Sequence, residues 1–265
     1  DDGVTWETIS PDLTAFESDK QVISGSPITR DITGEEFYST IYSVRESPLK
    51  KGLIWIGAND GPVHVTTDAG KNWKDVTPNK NIKGGRVDSV EPSSHNSSKA
   101  FVTILRYQLG DWRPYIYRTY NNGNSWDLIT EGIPADYPVR VLREDPKREG
   151  LLFAGTEFGM FISFDDGNNW KSFQQNLPVT PITDIKIHRN DIVLSTMGRS
   201  FWIMDNINYL RNFSFNDNDF LYPVTNTIRY RNRPSNNNHV SYPRTSVDID
   251  YKILDKSSMI VLSPG

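Results

Sequence analysis

Three acidic side chains lie in short polar segments between apolar runs, where they could serve as catalytic carboxylates in this chain of 265 residues. Asp60 and Glu157 each lie between two nearby glycines, and Asp111 lies in a longer polar insertion. Hydrolysis of a glycosidic bond needs two carboxyl groups about 5 to 9.5 Å apart, one of which donates a proton. Because the sequence alone does not set the distances among them, the three residues are catalytic candidates without an assigned pair.

The same segments, together with one further along the chain, carry aromatic, amide and basic side chains that suit a polar ligand. Aromatic rings can stack on such a ligand while charged groups set its orientation. A purely structural role is the alternative, because charged turn residues also close hairpins and remain solvated. The predicted binding residues are Asn59, Asp60, Tyr107, Asp111, Trp112, Arg113, Glu157 and Arg199.

Other kinds of site chemistry find little support in the residue types and their spacing. The chain has no cysteine, which removes thiolate nucleophiles and cysteine-based zinc sites. Asp165, Asp166 and Asn168 are spaced like part of a calcium loop, but the bidentate glutamate of such a loop is missing. No cofactor and no metal are therefore predicted. The four histidines lack metal-ligand spacing: His64, His95, His188 and His239.

Composition excludes several classes of partner. The net charge is −4 without a block of basic residues, so nucleic acid is not an expected ligand. No apolar run approaches the ~20 residues of a membrane helix, and no membrane span is predicted. Aromatic residues reach 12% with seven tryptophans, a content that favours a folded chain. A glycan, a peptide or another protein remains as the expected partner.

A short motif of the form T/S-x-D/N-x-G-x-x-W, which we call the box, recurs along the chain. The Asp or Asn side chain can accept backbone hydrogen bonds, Gly supplies positive φ, and Trp covers the turn with apolar surface. Asp1, Gly3 and Trp6 match the tail of a further copy, so the chain opens inside a repeat. The box residues are Thr66, Asp68, Gly70, Trp73; Thr119, Asn121, Gly123, Trp126; and Ser163, Asp165, Gly167, Trp170.

Short alternating apolar runs around each box predict four antiparallel strands per repeat, with the box in the last hairpin. The tryptophan spacing shrinks along the chain toward the ~40 to 50 residues of a propeller blade, and lone sheets of this size need neighbours to bury their faces. We therefore predict an all-β fold, a β-propeller of four-stranded blades over residues 1–210. The predicted strands are 39–44, 53–56, 63–67, 73–76; 87–90, 100–105, 115–119, 126–129; 139–143, 151–154, 160–164, 170–173; and, without a box, 182–187, 192–196, 201–204.

This number of blades is too small for a closed ring, so the propeller is expected to be partial and to need its remaining blades as partners. Residues 211–245 are rich in Asn, Asp and Arg without a period and predict a linker. Residues 246–265 alternate again, with strands expected at 247–253 and 258–262. They predict the start of a second, β-sandwich-like domain.

The boxes resemble the Asp-boxes, or bacterial neuraminidase repeats (BNR), of sialidases, sortilin-type propellers and photosystem assembly propellers. The segments GLIWIGANDGPVHVTTDAGKNW and LPVTPITDIKIHRNDIVLSTMGRSFWIMDN are similar to a bacterial family of exported propellers described as glycosyl-hydrolase-like or sortilin N-terminal-like. This resemblance implies a propeller followed by a β-sandwich, a secreted, periplasmic or cell-surface location, and no assigned activity. Met197 departs from the family, whose members commonly have His before the Gly-Arg pair.

The expected function is a non-catalytic binding or scaffold module that presents loops to a glycan, peptide or protein partner. The alternative is a glycan-degrading glycoside hydrolase, of sialidase or xyloglucanase type, whose acids are shared with the missing blades. The arginine-containing entry motif of sialidases is not found in the sequence, and the boxes are expected on the face opposite the ligand. A third possibility is an assembly factor that docks on a membrane complex through one propeller face.

Overall fold

A computed structural model describes residues 3–18, 38–79, 83–214, 219–224 and 249–254 of the chain. The chain divides into two compact units, residues 1–204 and 205–265, whereas the predicted propeller ends at residue 210. Within the described ranges, no helix is long and apolar enough to cross a membrane.

Among its described residues, the first unit forms four antiparallel sheets that follow one another along the chain, three with four strands and the last with three, which confirms the predicted all-β fold of blades. In each sheet the strands hydrogen-bond in sequence order, so each sheet is a simple meander. We number these sheets blades 1 to 4. Blade 1 contains β1 (Ile41–Glu46), β2 (Ile54–Ala58), β3 (Val63–Thr66) and β4 (Lys74–Asp75); blade 2 contains β5 (Arg86–Pro92), β6 (Ala100–Leu105), β7 (Ile116–Thr119) and β8 (Asp127–Leu128); blade 3 contains β9 (Val139–Glu144), β10 (Leu152–Thr156), β11 (Gly159–Ser163) and β12 (Lys171–Ser172); blade 4 contains β13 (Ile182–His188), β14 (Asp191–Thr196) and β15 (Phe201–Met204).

Consecutive blades pack face to face, because each sheet has apolar residues on both of its faces. One cluster joins Trp55 and Val63 of blade 1 to Val87 and Val102 of blade 2. A second cluster joins blade 2 to blade 3 and contains the buried Trp170. Burial of these faces is the main stabilising contribution, since a single blade would expose both of them to water.

Two glycines permit the close approach of neighbouring blades. A Cβ added at Gly57 would lie 2.2 Å from Val87 Cγ1, and one added at Gly155 would lie 2.8 Å from Ile182 Cβ. Both glycines have ordinary φ values, so it is space and not backbone freedom that requires them. Each occupies the same register position of the second strand of its blade.

The three complete boxes adopt the same turn between the third and fourth strands. In the first box, the Thr66 hydroxyl accepts a hydrogen bond from the Gly70 N–H at 3.0 Å, and Asp68 accepts one from the Asn72 N–H at 2.9 Å. Ala69 and Gly70 have positive φ, of 60° and 92°. Hydrogen bonds from the Asn72 side-chain amide, and then from its backbone N–H, lower the pKa of Asp68 to about 2. The turn is therefore held by polar groups within a span of seven residues.

Each box tryptophan hydrogen-bonds to the preceding repeat at one recurring position. The indole N–H of Trp126 donates to the Val76 carbonyl at 2.7 Å, and that of Trp170 to the Ile129 carbonyl at 2.8 Å. Each acceptor is the third residue after the preceding box tryptophan. Trp73 likewise donates to the Ile9 carbonyl at 2.8 Å, and Ile9 is the third residue after Trp6. Residues 6–9 thus take the place of a fourth strand before blade 1.

Blades 2 and 3 are also joined by a buried ionic cluster near the boxes. The fully buried Lys99 ammonium lies 2.9 Å from Glu144 Oε1 and 2.5 Å from Asp166 Oδ1. Lys99 precedes β6, whereas its two partners lie at the end of β9 and in the box of blade 3. Such a cluster locks the relative position of two sheets, because removal of one partner leaves buried charge uncompensated.

The second unit contains α1 (Asn208–Asn212) and a two-stranded antiparallel ribbon of β16 (Phe220–Leu221) and β17 (Tyr251–Lys252). The Phe220 and Tyr222 rings pack edge to face, with centroids 5.1 Å apart. β16 lies in the stretch predicted as linker, and β17 within the strand predicted at 247–253. The strand predicted at 258–262 lies outside the described residues.

Candidate functional site

The predicted site residues lie in the connections between second and third strands, at the end of the blades opposite the boxes. We call this the loop end. It is formed by residues 59–62, 106–115, 157–158 and 197–200. In a meander, the connection between the second and third strands and the connection between the third and fourth strands lie at opposite ends of the sheet. Side chains at the loop end are therefore separated from the box tryptophans by the length of a strand.

Asp60 and Asn59 hold neighbouring backbone at the loop end of blade 1. The Asp60 side chain, in a residue only 2% exposed, accepts hydrogen bonds from the N–H groups of Ala15 at 2.9 Å and Phe16 at 3.2 Å. The Asn59 amide oxygen accepts one from the Thr40 N–H at 2.9 Å. Both side chains thus anchor the chain that precedes β1.

Asp111 is the centre of a compact polar cluster in the insertion of blade 2. Its carboxylate accepts two hydrogen bonds from Arg113, each at 2.9 Å, one from Arg106 at 3.2 Å and one from the Tyr115 hydroxyl at 2.7 Å. The hydrogen bonds from Arg113 hold the pKa of Asp111 well below its usual range. Burial, reinforced by the hydrogen bond to Asp111, raises the pKa of Tyr115 to about 12. Asp111 is therefore a permanently charged acceptor.

The same insertion carries a surface that we call the loop platform, formed by the half-buried Tyr107 and the exposed Trp112 and Arg113. The rings of Tyr107 and Trp112 lie 5.6 Å apart and are tilted by 44°. Trp112 is 47% exposed, and the Arg113 side chain is 66% exposed although its guanidinium is oriented by Asp111. Gly110, with φ of 77°, ends the single 3-10 turn that holds Tyr107. The platform combines an apolar ring surface with an oriented cation.

All four first strands carry a β-bulge at the same register position near the loop end. A bulge adds one residue to a strand and changes the direction of its side chain. Because the first strands of neighbouring blades lie side by side, the four extra residues are brought near one another. They are Tyr42, Asp88, Arg140 and Thr183.

Two of these bulge residues belong to a row of alternating charges, which we call the charged row. Arg86 donates to Asp88 at 3.0 Å, Arg140 lies 3.7 Å from Asp88, and Arg140 also lies 2.6 Å from Glu157 Oε1. Burial raises the pKa of Asp88, against the attraction of the two arginines. The Arg140 guanidinium lies 6.0 Å from the ring centroid of Tyr107, which connects the row to the loop platform.

Arg199 lies in the exposed turn of blade 4. Its backbone N–H donates to the Thr196 hydroxyl at 3.2 Å, and its carbonyl accepts from the Trp202 indole at 2.9 Å. The structure thus brings together Tyr107, Asp111, Trp112 and Arg113. Arg140 connects Glu157 to this group, because it lies near both Glu157 and the Tyr107 ring. Asn59, Asp60 and Arg199 belong to the turns of other blades.

The sequence interpretation missed Arg86, Asp88 and Arg140. A usable signal was present, because each of these charged residues lies next to a buried valine within a predicted strand or just before one. Charge at such a position is uncommon unless it is paired. The arrangement as a whole combines an exposed ring and an oriented cation with a row of charges that neutralise one another.

The chain has the fold of a β-propeller, with antiparallel blades of up to four strands and almost no helix among the residues that the structure describes. No family model matches it. Among curated proteins it is similar to one described as a probable oligoxyloglucan-reducing end-specific xyloglucanase of Neosartorya fischeri, with 29% identity over 112 residues, which are 40% of this chain and 13% of that protein.

Two solved structures with the same fold are glycoside hydrolases of the GH74 group. The Niastella koreensis GH74 enzyme aligns with a TM-score of 0.50 and 13% identity over 60% of this chain and 26% of that one. The GH74 xyloglucanase of Xanthomonas campestris aligns with a TM-score of 0.50 and 10% identity over 63% of this chain and 29% of that one. At these identities the likeness shows the fold alone, and the chain spans less than a third of each relative.

Proposed function

We propose that this chain is a non-catalytic glycan-binding segment of a secreted or cell-surface β-propeller, with the loop platform as its binding surface. The observation that carries the proposal is the exposed Trp112 ring, packed on the half-buried Tyr107 ring and placed beside a guanidinium that Asp111 holds in position. Exposed aromatic faces contribute apolar contact area, while an oriented cation supplies hydrogen bonds to polar groups. A sugar chain presents both kinds of surface.

Binding is favoured over catalysis by the state of the three candidate carboxylates. A glycosidase needs a carboxylic acid that holds its proton near neutral pH, which requires a raised pKa. Asp111 has a lowered pKa, Asp60 is buried against backbone N–H groups, and Glu157 is ion-paired with Arg140. None of the three is arranged as a proton donor.

A glycan is preferred over a peptide because the similar curated protein is named for its action on oligoxyloglucan. A polymer of this kind lies outside the cell, which agrees with the proposed secreted or cell-surface location. Xyloglucan oligosaccharides are therefore the first probe, followed by an array of other plant and bacterial glycans.

The test compares two substitutions of exposed tryptophans. We expect Trp112→Ala to weaken binding of the probe at least tenfold in isothermal titration calorimetry, because it removes one ring of the platform. Trp6→Ala is the matched control, since Trp6 is 89% exposed and lies outside the loop end, and it should leave the affinity unchanged. Absence of binding to every glycan on the array, or equal affinity of both variants and the parent chain, would refute the proposal.

The second candidate function is hydrolysis of a glycan, with catalytic acids shared between this chain and further blades. The similarity to the xyloglucanase and the raised pKa of the buried Asp88 favour this alternative. Its test is the release of reducing sugar from xyloglucan by the parent chain and by Glu157→Gln and Asp60→Asn. Turnover that is abolished by either substitution would establish hydrolysis, whereas we expect no turnover from any of the three.

A further inference from the structure

An apolar cavity of about 200 Å³ lies against the face of blade 4 that is directed toward blade 3. Its lining has no charged side chain. Blade 3 contributes part of the wall through β11 and the residues that follow β12, and blade 4 contributes the rest through β14 and β15. The apolar lining residues on which the argument depends are Met160, Phe173, Ile192, Leu194, Trp202 and Met204.

The strand registers show what fills the corresponding place between blades 1 and 2. Met160 pairs with Gly155 in blade 3, and Val63 pairs with Gly57 in blade 1, so Met160 matches Val63. Trp202 pairs with Leu194 in blade 4, and Tyr117 pairs with Val102 in blade 2, so Trp202 matches Tyr117. Between blades 1 and 2 this place is occupied by the indole of Trp126, which packs against the apolar cluster there. The matching residues are Val63, Val76, Val102 and Tyr117 in blades 1 and 2, and Met160, Phe173, Leu194 and Trp202 in blades 3 and 4.

The backbone acceptor for an indole is also present. Trp126 donates to the carbonyl of Val76, the third residue after the preceding box tryptophan. The third residue after Trp170 is Phe173, which lines the cavity. The cavity thus has the apolar lining and the hydrogen-bond acceptor position of a site for the tryptophan of a fourth strand.

Blade 4 lacks that strand among the described residues. β15 is the edge of a three-stranded sheet, and its outer face exposes Phe201 (73%) and Ile203 (64%). By register these two residues correspond to Val63 and Val65, which are buried against the next blade. An edge strand with unpaired backbone groups can bind another strand, and an exposed apolar face beside it can pack against another sheet.

Residues 3–9 have the features of such a fourth strand. Trp6 is 89% exposed, its indole donates only to the nearby Gly3 carbonyl at 2.9 Å, and it ends a box tail. Ile9, on the same segment, already serves blade 1 as the acceptor for Trp73. The segment lies beside blade 1, and blade 1 is separated from blade 4 by two packed blades.

We propose that residues 3–9 of one copy of this chain form the fourth strand of blade 4 in a second copy, with Trp6 in the cavity and its indole N–H donating to the Phe173 carbonyl. The same contact stacks blade 4 of one copy on blade 1 of the other. It covers the exposed side chains of Phe201 and Ile203 on blade 4 and that of Val44 on blade 1. The contact is head to tail, so it generates rings or longer chains.

Sedimentation velocity of the full chain over about 1 to 100 μM tests the proposal. We expect concentration-dependent association that Trp6→Ala weakens at least tenfold and that Trp112→Ala, an exposed tryptophan at the loop end, leaves unchanged. A labelled peptide of residues 1–11 should bind the chain in fluorescence anisotropy and dissociate the assemblies, whereas the same peptide with Trp6→Ala should do neither.

Three results would overturn the proposal. The first is a chain that stays monomeric throughout and does not bind the peptide. The second is association that Trp6→Ala leaves unchanged. The third is a monomeric chain that binds the peptide, which would assign the cavity to a strand from another polypeptide. Because glycan binding is measured with Trp112→Ala, failure of this proposal leaves the proposed function independently testable.

Discussion

Trp170→Ala is the sharpest test of the role of the box tryptophans in joining neighbouring blades. Trp170 is 3% exposed, packs in the cluster between blades 2 and 3, and donates to the Ile129 carbonyl at 2.8 Å. Truncation to alanine removes the ring from this interface and leaves a cavity, because the two sheets are held apart by their other contacts.

The expected loss follows from burial and from the hydrogen bond. Burial of ~200 Å² of tryptophan surface contributes about 5 kcal/mol at ~25 cal/mol per Å², which is an upper estimate because the unfolded chain is partly compact. The indole hydrogen bond adds ~1 kcal/mol. Measured truncations of large buried aromatics cost ~3 to 5 kcal/mol, so we expect the free energy of unfolding to fall by about 4 kcal/mol.

Urea unfolding followed by circular dichroism measures this difference, and the thermal midpoint should fall by about 10 °C. Trp73→Ala is the matched control. Its indole makes the same kind of hydrogen bond, at 2.8 Å to Ile9, but it packs on a single short segment and is only partly buried. We expect a loss of ~1 to 2 kcal/mol there. Equal losses for the two variants, or a loss under ~1 kcal/mol for Trp170→Ala, would refute the assigned role.

Three further substitutions test the polar groups of the blades. Asn121→Asp should change the free energy of unfolding by less than ~0.5 kcal/mol, since aspartate makes the same turn in the other boxes, and a loss above ~1 kcal/mol in urea unfolding would contradict this. Lys99→Met should cost ~3 to 5 kcal/mol, because it leaves the buried Glu144 carboxylate without its cation, and a stable Lys99→Met chain would show that the ionic cluster is dispensable. Asp68 has a pKa near 2 in the folded chain, below its ordinary value of 3.8, so its contribution to stability is present above about pH 4 and is lost as the pH falls toward 2. Asp68→Asn should therefore flatten the dependence of stability on pH between 4 and 2, and an unchanged slope in that range would exclude this contribution.

The propeller architecture could be predicted from the sequence because its signals are local. The box turn is closed by hydrogen bonds that span at most four residues, such as those from Gly70 to Thr66 and from Asn72 to Asp68. The alternating runs match the period of two that a strand imposes on its side chains. The lack of a box after β15 likewise predicted that blade 4 has no clear fourth strand, and none is present among the described residues.

The candidate site was less predictable, because the state of each carboxylate depends on partners far away in the sequence. The Asp60 carboxylate accepts hydrogen bonds from N–H groups 44 and 45 residues before it. Glu157 forms an ion pair with Arg140, which lies on the first strand of the blade. Asp111 is the exception, since its partners lie within five residues, yet the sequence did not show that its pKa would be lowered rather than raised.

The sequence by itself determined the repeat, the strand order within each blade and the turns that join third to fourth strands, because short-range hydrogen bonds and side-chain periodicity specify them. Only the tertiary structure decided that four bulges align, that charges on neighbouring first strands neutralise one another, and that an apolar cavity lies between blades 3 and 4. The physical reason is that these features arise from the register and packing of separate sheets, whose residues meet across 40 to 60 positions of chain. No local pattern carries that information.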